Sequence, residues 1–247
     1  MRPPIDTIVA PSFPKDADWI NVATLKLEQQ APRPVLIDFW DFCRPSSIRA
    51  LAYLKEWQRR YEPAGLRIVS VHAPGFPPSR DADLVAEATR RLGIEHAVLL
   101  DPEFSYWQDF DNPGWPARYL FGPDLMLVDV QIGEGGYVET EQEIQRLLGL
   151  SEPLTGLLNA ADDIDAEVIV PTPDQPGAYS GPYAAGQVWI VSGGSGSLSV
   201  NGEHREIEGA GAHLLLDHGT HSEGVLELKP DDGLEIHATC FIPGLAT

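Results

Sequence analysis

Val35-Leu-Ile-Asp-Phe-Trp-Asp-Phe-Cys-Arg-Pro-Ser-Ser47 decides the fold of this 247-residue chain. Its first six residues are apolar except for Asp38, the pattern of a central strand in a parallel sheet, buried on both faces. From Ile48 the period changes: Ile48, Leu51, Leu54 and Tyr61 fall on one side of a helix, and Arg49, Lys55, Gln58 and Arg59 on the other. The turn between them, Asp41 to Ser47, carries Cys43 and Pro45. A buried strand that delivers a cysteine to the start of a helix is a seat for thiol chemistry, because the helix N-terminus favours the thiolate.

Upstream, the chain opens as Pro-rich coil (Pro3, Pro4, Pro11, Pro14), followed by a short extended piece at Trp19–Val22, and Pro32 and Pro34 stop any helix before the central strand. Downstream, Leu66–Val71 reads as a second buried strand, so strand, helix and strand predict a right-handed parallel crossover. Asp81–Leu92 has helical spacing, with Asp81 as cap and Gly93 as stop. A short strand at Ala97–Leu100 and a helical turn at Phe104–Phe110 follow. Trp115-Pro116 then precedes an antiparallel hairpin of Ala117–Phe121 and Leu125–Val130, and Thr140–Leu148 is a closing helix.

Beyond Gly149 helical patterning stops. Short alternating segments at 168–170, 187–191, 197–200, 212–216, 224–228 and 234–242 are separated by turn signals such as Asn201-Gly202 and Asp231-Asp-Gly233. Ser192-Gly-Gly-Ser-Gly-Ser197 reads as a hairpin tip, since a phosphate-binding loop requires a following helix. The organisation is therefore an α/β domain over 1–149, a linker over 150–166 and an all-β sandwich or jelly roll over 167–247.

Composition excludes several classes. With 17 basic against 37 acidic residues the formal charge is -20, which disfavours nucleic acid and anionic membrane surfaces as partners. Two cysteines, Cys43 and Cys240, are too few for a disulfide scaffold or a zinc ribbon. No stretch approaches the roughly 20 apolar residues of a membrane span, and Met1–Asp6 lacks the pattern of a secretory leader, so a cytoplasmic location is expected. No cofactor is expected.

Asp38-Phe-Trp, the strand-turn-helix around Cys43, Val71-His-Ala-Pro74, Trp115-Pro116 before a hairpin, and Gly133-Glu-Gly-Gly-Tyr-Val-Glu-Thr-Glu141 together resemble the redoxin, or thioredoxin-like, domains of the TlpA/DipZ type over roughly residues 15 to 150. The resemblance implies a mixed central sheet flanked by helices, a Cys-x-x-Cys dithiol at the start of the first long helix and a cis-proline facing it. It also implies a carbohydrate-binding-module-like β-sandwich after that domain, and a place outside the cytoplasmic membrane.

The motif itself departs from the family. Counting from Phe39, the first cysteine position is Arg44 and the second is Ser47; counting back from the helix gives the same answer without a gap, leaving Cys43 one residue early. A second register reads Cys43-Arg-Pro-Ser46 as Cys-x-Pro-Cys with serine as resolver, at the expense of a deletion and an insertion. Dithiol exchange needs a second thiol to resolve the mixed disulfide, so neither register supports it within this motif.

The candidate catalytic residues are Cys43, Arg44, Ser47 and Asp38, the last matching the acid that thioredoxins bury behind the dithiol; a satisfied buried carboxylate is the competing reading. Trp40, Trp115 and Pro116 are the candidate substrate-binding residues, Trp115 presenting its backbone to an extended protein or peptide partner with a thiol or disulfide. His72 reads as an anchor for its loop. In the β region, His213, Asp217, His218 and His221 form a metal-like cluster, for which a solvated loop is the preferred alternative, and no metal is assigned. Trp189, Tyr179 and Tyr183 offer a glycan-stacking platform, for which core packing of Trp189 is the preferred alternative. Three functions follow: a thioredoxin-like binding or scaffold module that has lost its dithiol, a single-cysteine oxidoreductase or redox sensor using Cys43, and a carbohydrate-binding protein acting through the β region.

Overall fold

The computed structural model describes residues 7–163 and 165–246; Pro3, Pro4 and position 164 of the expected linker lie outside them. The chain divides into two compact units that do not follow its linear order. One comprises the chain up to Asp41, Arg49–Pro74 and Gly93–Leu158; the other comprises Phe42–Ile48, Gly75–Leu92 and the chain from Asn159.

The first unit is built on a six-stranded mixed sheet. Its strands are β1 (Trp19–Ile20), β2 (Val35–Trp40), β3 (Arg67–His72), β4 (Ala97–Leu100), β5 (Ala117–Phe121) and β6 (Leu127–Ile132), in the order β1-β4-β3-β2-β5-β6. β2 pairs parallel with β3 and antiparallel with β5, so the apolar run that opens the motif is central and wholly buried. Alternation along β2 sends Val35, Ile37 and Phe39 into one cluster with Tyr106, Tyr119 and Phe121, and Leu36 into another with Tyr53, Trp57, Leu120 and Tyr137. The second cluster is closed by α1 (Pro45–Tyr61) and α4 (Tyr137–Leu148); α3 (Ser105–Asp109) lies on the first.

Two helices begin earlier than their apolar period suggests. α1 starts at Pro45 rather than Ile48, because a proline at the first helical position is pre-set for the helix and its missing N–H costs nothing there. α4 starts at Tyr137, three residues before Thr140. No helix among the described residues is long and apolar enough to cross a membrane.

In the second unit, α2 (Ala82–Arg91) is capped as its sequence requires: the Asp81 carboxylate accepts from the N–H groups of Asp83 and Leu84 at 2.9 and 3.3 Å. The strand-rich part runs β7 (Val168–Ile169), β8 (Gln175–Pro176), β9 (Gly181–Ser192), β10 (Gly196–Val200), β11 (Glu203–Ile207), β12 (Gly211–Leu226), β13 (Leu228–Pro230), β14 (Ile236–Ile242) and β15 (Gly244–Leu245). These form a six-stranded sheet, β7-β15-β12-β9-β14-β8, and a three-stranded sheet, β11-β10-β13. Val188, Ile190 and Phe241 of the large sheet share a core with Leu198, Val200 and Leu228 of the small one.

Asn201-Gly202 makes the two-residue β10–β11 hairpin, both residues having positive φ (52° and 85°), as a primed turn demands. Ser192–Ser197 is not a hairpin tip: β9 and β10 lie in different sheets, and the glycine-rich segment carries the chain from one to the other. Local composition marks a turn there but not which strand the chain pairs with next.

Candidate functional site

The start of α1 fixes where each residue of the turn stands relative to the helix. The Ile48 N–H donates to the Arg44 carbonyl at 3.1 Å, the first bond of the helix, so Arg44 is the N-cap residue and Cys43 precedes it. Ser47 is then the third helical residue, buried in the first turn. The Arg44 guanidinium lies 5.5 Å from the centre of the Phe76 ring. Cys43 and Cys240 both carry thiols rather than a disulfide, and Cys43 is 0% exposed.

The strand-rich region of the same unit meets this turn at Phe42. The Ala212 N–H donates to the Phe42 carbonyl at 2.9 Å, and Arg91, in the last turn of α2, donates through Nη2 to the Ala210 carbonyl at 2.6 Å. Burial pulls the Arg91 guanidinium below its usual range, and Glu87, Cys43 and Glu208 oppose that shift through their charge. On β14, burial drives the Cys240 thiol up to about 12, with Asp174 adding to the shift and Arg44 opposing it; Cys240 is therefore an unreactive thiol near neutrality.

Asp38 occupies the middle of β2, directly across the β2–β5 ladder from Arg118. Both side chains are buried. Burial pushes the Asp38 carboxyl up to about 7, and the Arg118 charge pulls the other way without restoring the ordinary value. Arg118 donates through Nη2 to the Gly135 carbonyl, and its guanidinium carbon lies 4.5 Å from the centre of the Tyr137 ring and 5.9 Å from that of Trp57. Asp38 Oδ1 and Arg118 Nε and Nη1 have no hydrogen-bond partner among the described residues.

At the end of the same strand, Trp40 meets His72 edge-on at 5.3 Å, and His72 Nε2 lies 3.7 Å from Asp41 Oδ1. Sequence reasoning missed Arg118. Its signal was one base in the otherwise apolar Ala117–Phe121, legible only once that strand is paired against the one acid of Val35–Trp40.

The peptide bond between Trp115 and Pro116 is cis, at the entry to β5. The Trp115 indole is half-buried: Nε1 donates to the Ala73 carbonyl at 3.0 Å, and the ring packs on Trp107 at 4.3 Å and Phe104 at 6.1 Å. The candidate residues thus fall into three groups: Asp38 and Trp40 on one face of β2, Trp115 and Pro116 before β5, and Cys43, Arg44 and Ser47 on the turn of the other unit.

No family model matches the chain. Over 147 residues, 58% of its length, the chain is 30% identical to the protein DipZ of Mycobacterium tuberculosis, of which the match covers 21%. It is 24% identical over 142 residues to the thiol-disulfide oxidoreductase YkuV of Bacillus subtilis, covering 95% of that protein. Among solved structures, a putative thiol:disulfide interchange protein DsbE from Chlorobium tepidum superposes with a TM-score of 0.51 at 20% identity, over 57% of this chain and 96% of that one. The chain carries a domain of thioredoxin-like fold.

Outside this thioredoxin-like domain, the residues singled out in the β region have local partners. His213 donates to the Gly209 carbonyl at 3.1 Å, and burial, aided by the charge of Arg91, lowers its pKa to about 4, so it is neutral near neutral pH. Asp217 accepts from Gln187 and from the Gly219 N–H, while His218 bonds the Tyr183 hydroxyl at 2.9 Å. Among the described residues no group of three His, Cys, Asp or Glu side chains is placed to hold a metal ion. The glycan platform also fails at its centre: Trp189 is 6% exposed with Nε1 bonded to Gln187, and Tyr183 is buried against Phe241. Alternation along β9 predicts only that Trp189 leaves the sandwich core, not that the other face is covered as well.

Proposed function

We propose that this thioredoxin-like protein works as a binding module that has lost dithiol exchange, taking an extended stretch of a protein partner at the Trp115–Pro116 corner. The observation that carries the reading is the Ile48–Arg44 hydrogen bond: it makes an arginine the N-cap residue and a serine the residue three places on, the two positions where the resemblance expects cysteines. A resolving thiol at Ser47 is chemically absent, so a mixed disulfide formed at Cys43 has no partner in the motif to release it.

Insulin reduction with dithiothreitol tests this directly. The expected result is a rate within twofold of the no-protein control, and Arg44→Cys/Ser47→Cys, which restores the pair, raising it at least tenfold. Robust turnover by the unaltered chain that disappears in Cys43→Ser overturns the reading.

A second reading, a single-cysteine redox protein, is favoured by one observation: the Arg91 cation is close enough to Cys43 for their charges to interact, and a neighbouring cation stabilises a thiolate. Its signature is a stable mixed disulfide with glutathione at Cys43, detected by intact mass, at concentrations that leave Cys240 unmodified.

A further inference from the structure

Around the Trp115–Pro116 corner the charge of the chain is one-sided. Between Arg91 and Arg146 the sequence has eleven Asp and Glu residues and a single Lys or Arg, Arg118. That one base is 1% exposed and pairs across the β2–β5 ladder with Asp38, so it supplies no cation to the surface. The corner and α3 both lie in this stretch.

Beside the corner, three rings share one surface. Phe104, Trp107 and Trp115 are each half-buried, and their ring centres lie 4.3 Å (Trp107 to Trp115), 5.7 Å (Phe104 to Trp107) and 6.1 Å (Phe104 to Trp115) apart. The rings are anchored from the core side. The buried Asp101 carboxylate accepts from the N–H groups of Tyr106 and Trp107 at 3.2 and 2.8 Å, and Trp107 packs edge-on against Phe39 at 5.6 Å. The charged side chains nearest in sequence to these rings on the exposed surface are acids: Glu103 next to Phe104, Asp109 two residues after Trp107, and Asp111 beyond it. All three are exposed, and among the described residues none is ion-paired. Aromatic faces attract cations, and a field of one sign draws in chains of the other.

Resting on the binding-module reading, we propose that the partner at this corner is basic: an extended stretch of another protein whose Arg and Lys side chains lie over Trp107 and Trp115 and meet Glu103, Asp109 and Asp111. The rings supply contact to any side chain, whereas the carboxylates select the sign of its charge. A neutral stretch gains only the first, and an acidic one is repelled by the second.

The test is fluorescence anisotropy of the full chain with three short labelled Gly/Ser peptides, one carrying spaced Arg residues, one carrying Glu at the same positions and one carrying neither. The Arg peptide is expected to bind at least tenfold more tightly than the neutral one and the Glu peptide more weakly than either, with the Arg advantage shrinking at least threefold as salt rises from about 50 to about 300 mM. Asp109→Asn/Asp111→Asn should weaken the Arg peptide about fivefold, the second substitution keeping a left-handed backbone (φ 46°) that asparagine tolerates. Asp231→Asn/Asp232→Asn, an equal change of charge at exposed positions between β13 and β14, should weaken it less than twofold. Equal losses in the two double variants, or no preference for the Arg peptide over the neutral one, would overturn the basic partner. The NMR signal of the Trp115 indole N–H judges the binding module separately. A neutral peptide that moves it as much as the Arg peptide does leaves a corner that binds protein chain without regard to charge, and only the basic partner is lost; if no peptide moves it, both are lost.

Discussion

The two faces of β2 are equally buried but chemically different. On one, Phe39 sits among Phe110, Trp107, Tyr119 and Tyr106, with ring centres 5.0 to 6.2 Å away, an arrangement in which every atom contributes dispersion and burial. On the other, alternation places Asp38 and Trp40, and Asp38 Oδ1, Trp40 Nε1, Trp57 Nε1 and two nitrogens of Arg118 lack hydrogen-bond partners among the described residues. A buried polar group without a partner costs free energy rather than supplying it. One strand thus carries a face that is apolar throughout and a face whose apolar packing around Leu36 also has to sustain buried polar groups. The second is the face on which the family resemblance places the acid behind its dithiol.

Truncation should separate them. Phe39→Ala removes a ring from the aromatic face and is expected to cost about 3–5 kcal/mol in denaturant unfolding, with the same loss at pH 5 and pH 8, since nothing it touches titrates between them. Arg118→Met is expected to cost about 3 kcal/mol at pH 8, where it strands a charged Asp38, and clearly less at pH 5, where the carboxyl takes a proton instead. Equal losses for Arg118→Met at the two pH values would show that Asp38 is not the group paying for the missing cation.

Asp38 itself makes the comparison quantitative. Its folded-state pKa of about 7 lies above the ordinary 3.8, so the native protein holds a proton that the unfolded chain releases. Its contribution to stability therefore falls as pH rises from about 4 to about 7 and is level above that. Between pH 5 and pH 8 the linkage amounts to about 2–3 kcal/mol. Asp38→Asn should flatten that part of the stability profile by this amount; an unchanged slope would place the carboxyl's pKa at its ordinary value.

Much of this frame was legible in the chain. A six-residue apolar run with one acid, a change of period and two well-placed prolines were enough for the central strand, the helix and the thioredoxin-like resemblance, because each depends on neighbours in sequence. The gapless count assigns Arg44 and Ser47 to the cysteine positions from sequence alone, and α1 starts at Pro45, between the two. What could not be read depends on distant partners. Arg118 is a strand residue like any other until β5 is set against β2. Gly211 is one of 23 glycines until its backbone is placed against Phe42, 169 positions earlier. For Trp189 the sequence favours packing over a ligand platform, but periodicity assigns faces without saying what covers them.

The smallest effect tests whether the aromatic face is as apolar in energy as in composition. Tyr119 belongs to it, facing Phe39 and Phe110, yet its hydroxyl donates to Asn112 Oδ1 at 3.0 Å in a buried site. Tyr119→Phe keeps the ring contacts and removes one neutral hydrogen bond, so about 1 kcal/mol should be lost, independent of pH between 5 and 8. A loss of 3 kcal/mol or more would mean that this face, too, is held by a polar anchor. The division of β2 into a packing face and a charged face would then give way to a core in which both sides depend on buried hydrogen bonds.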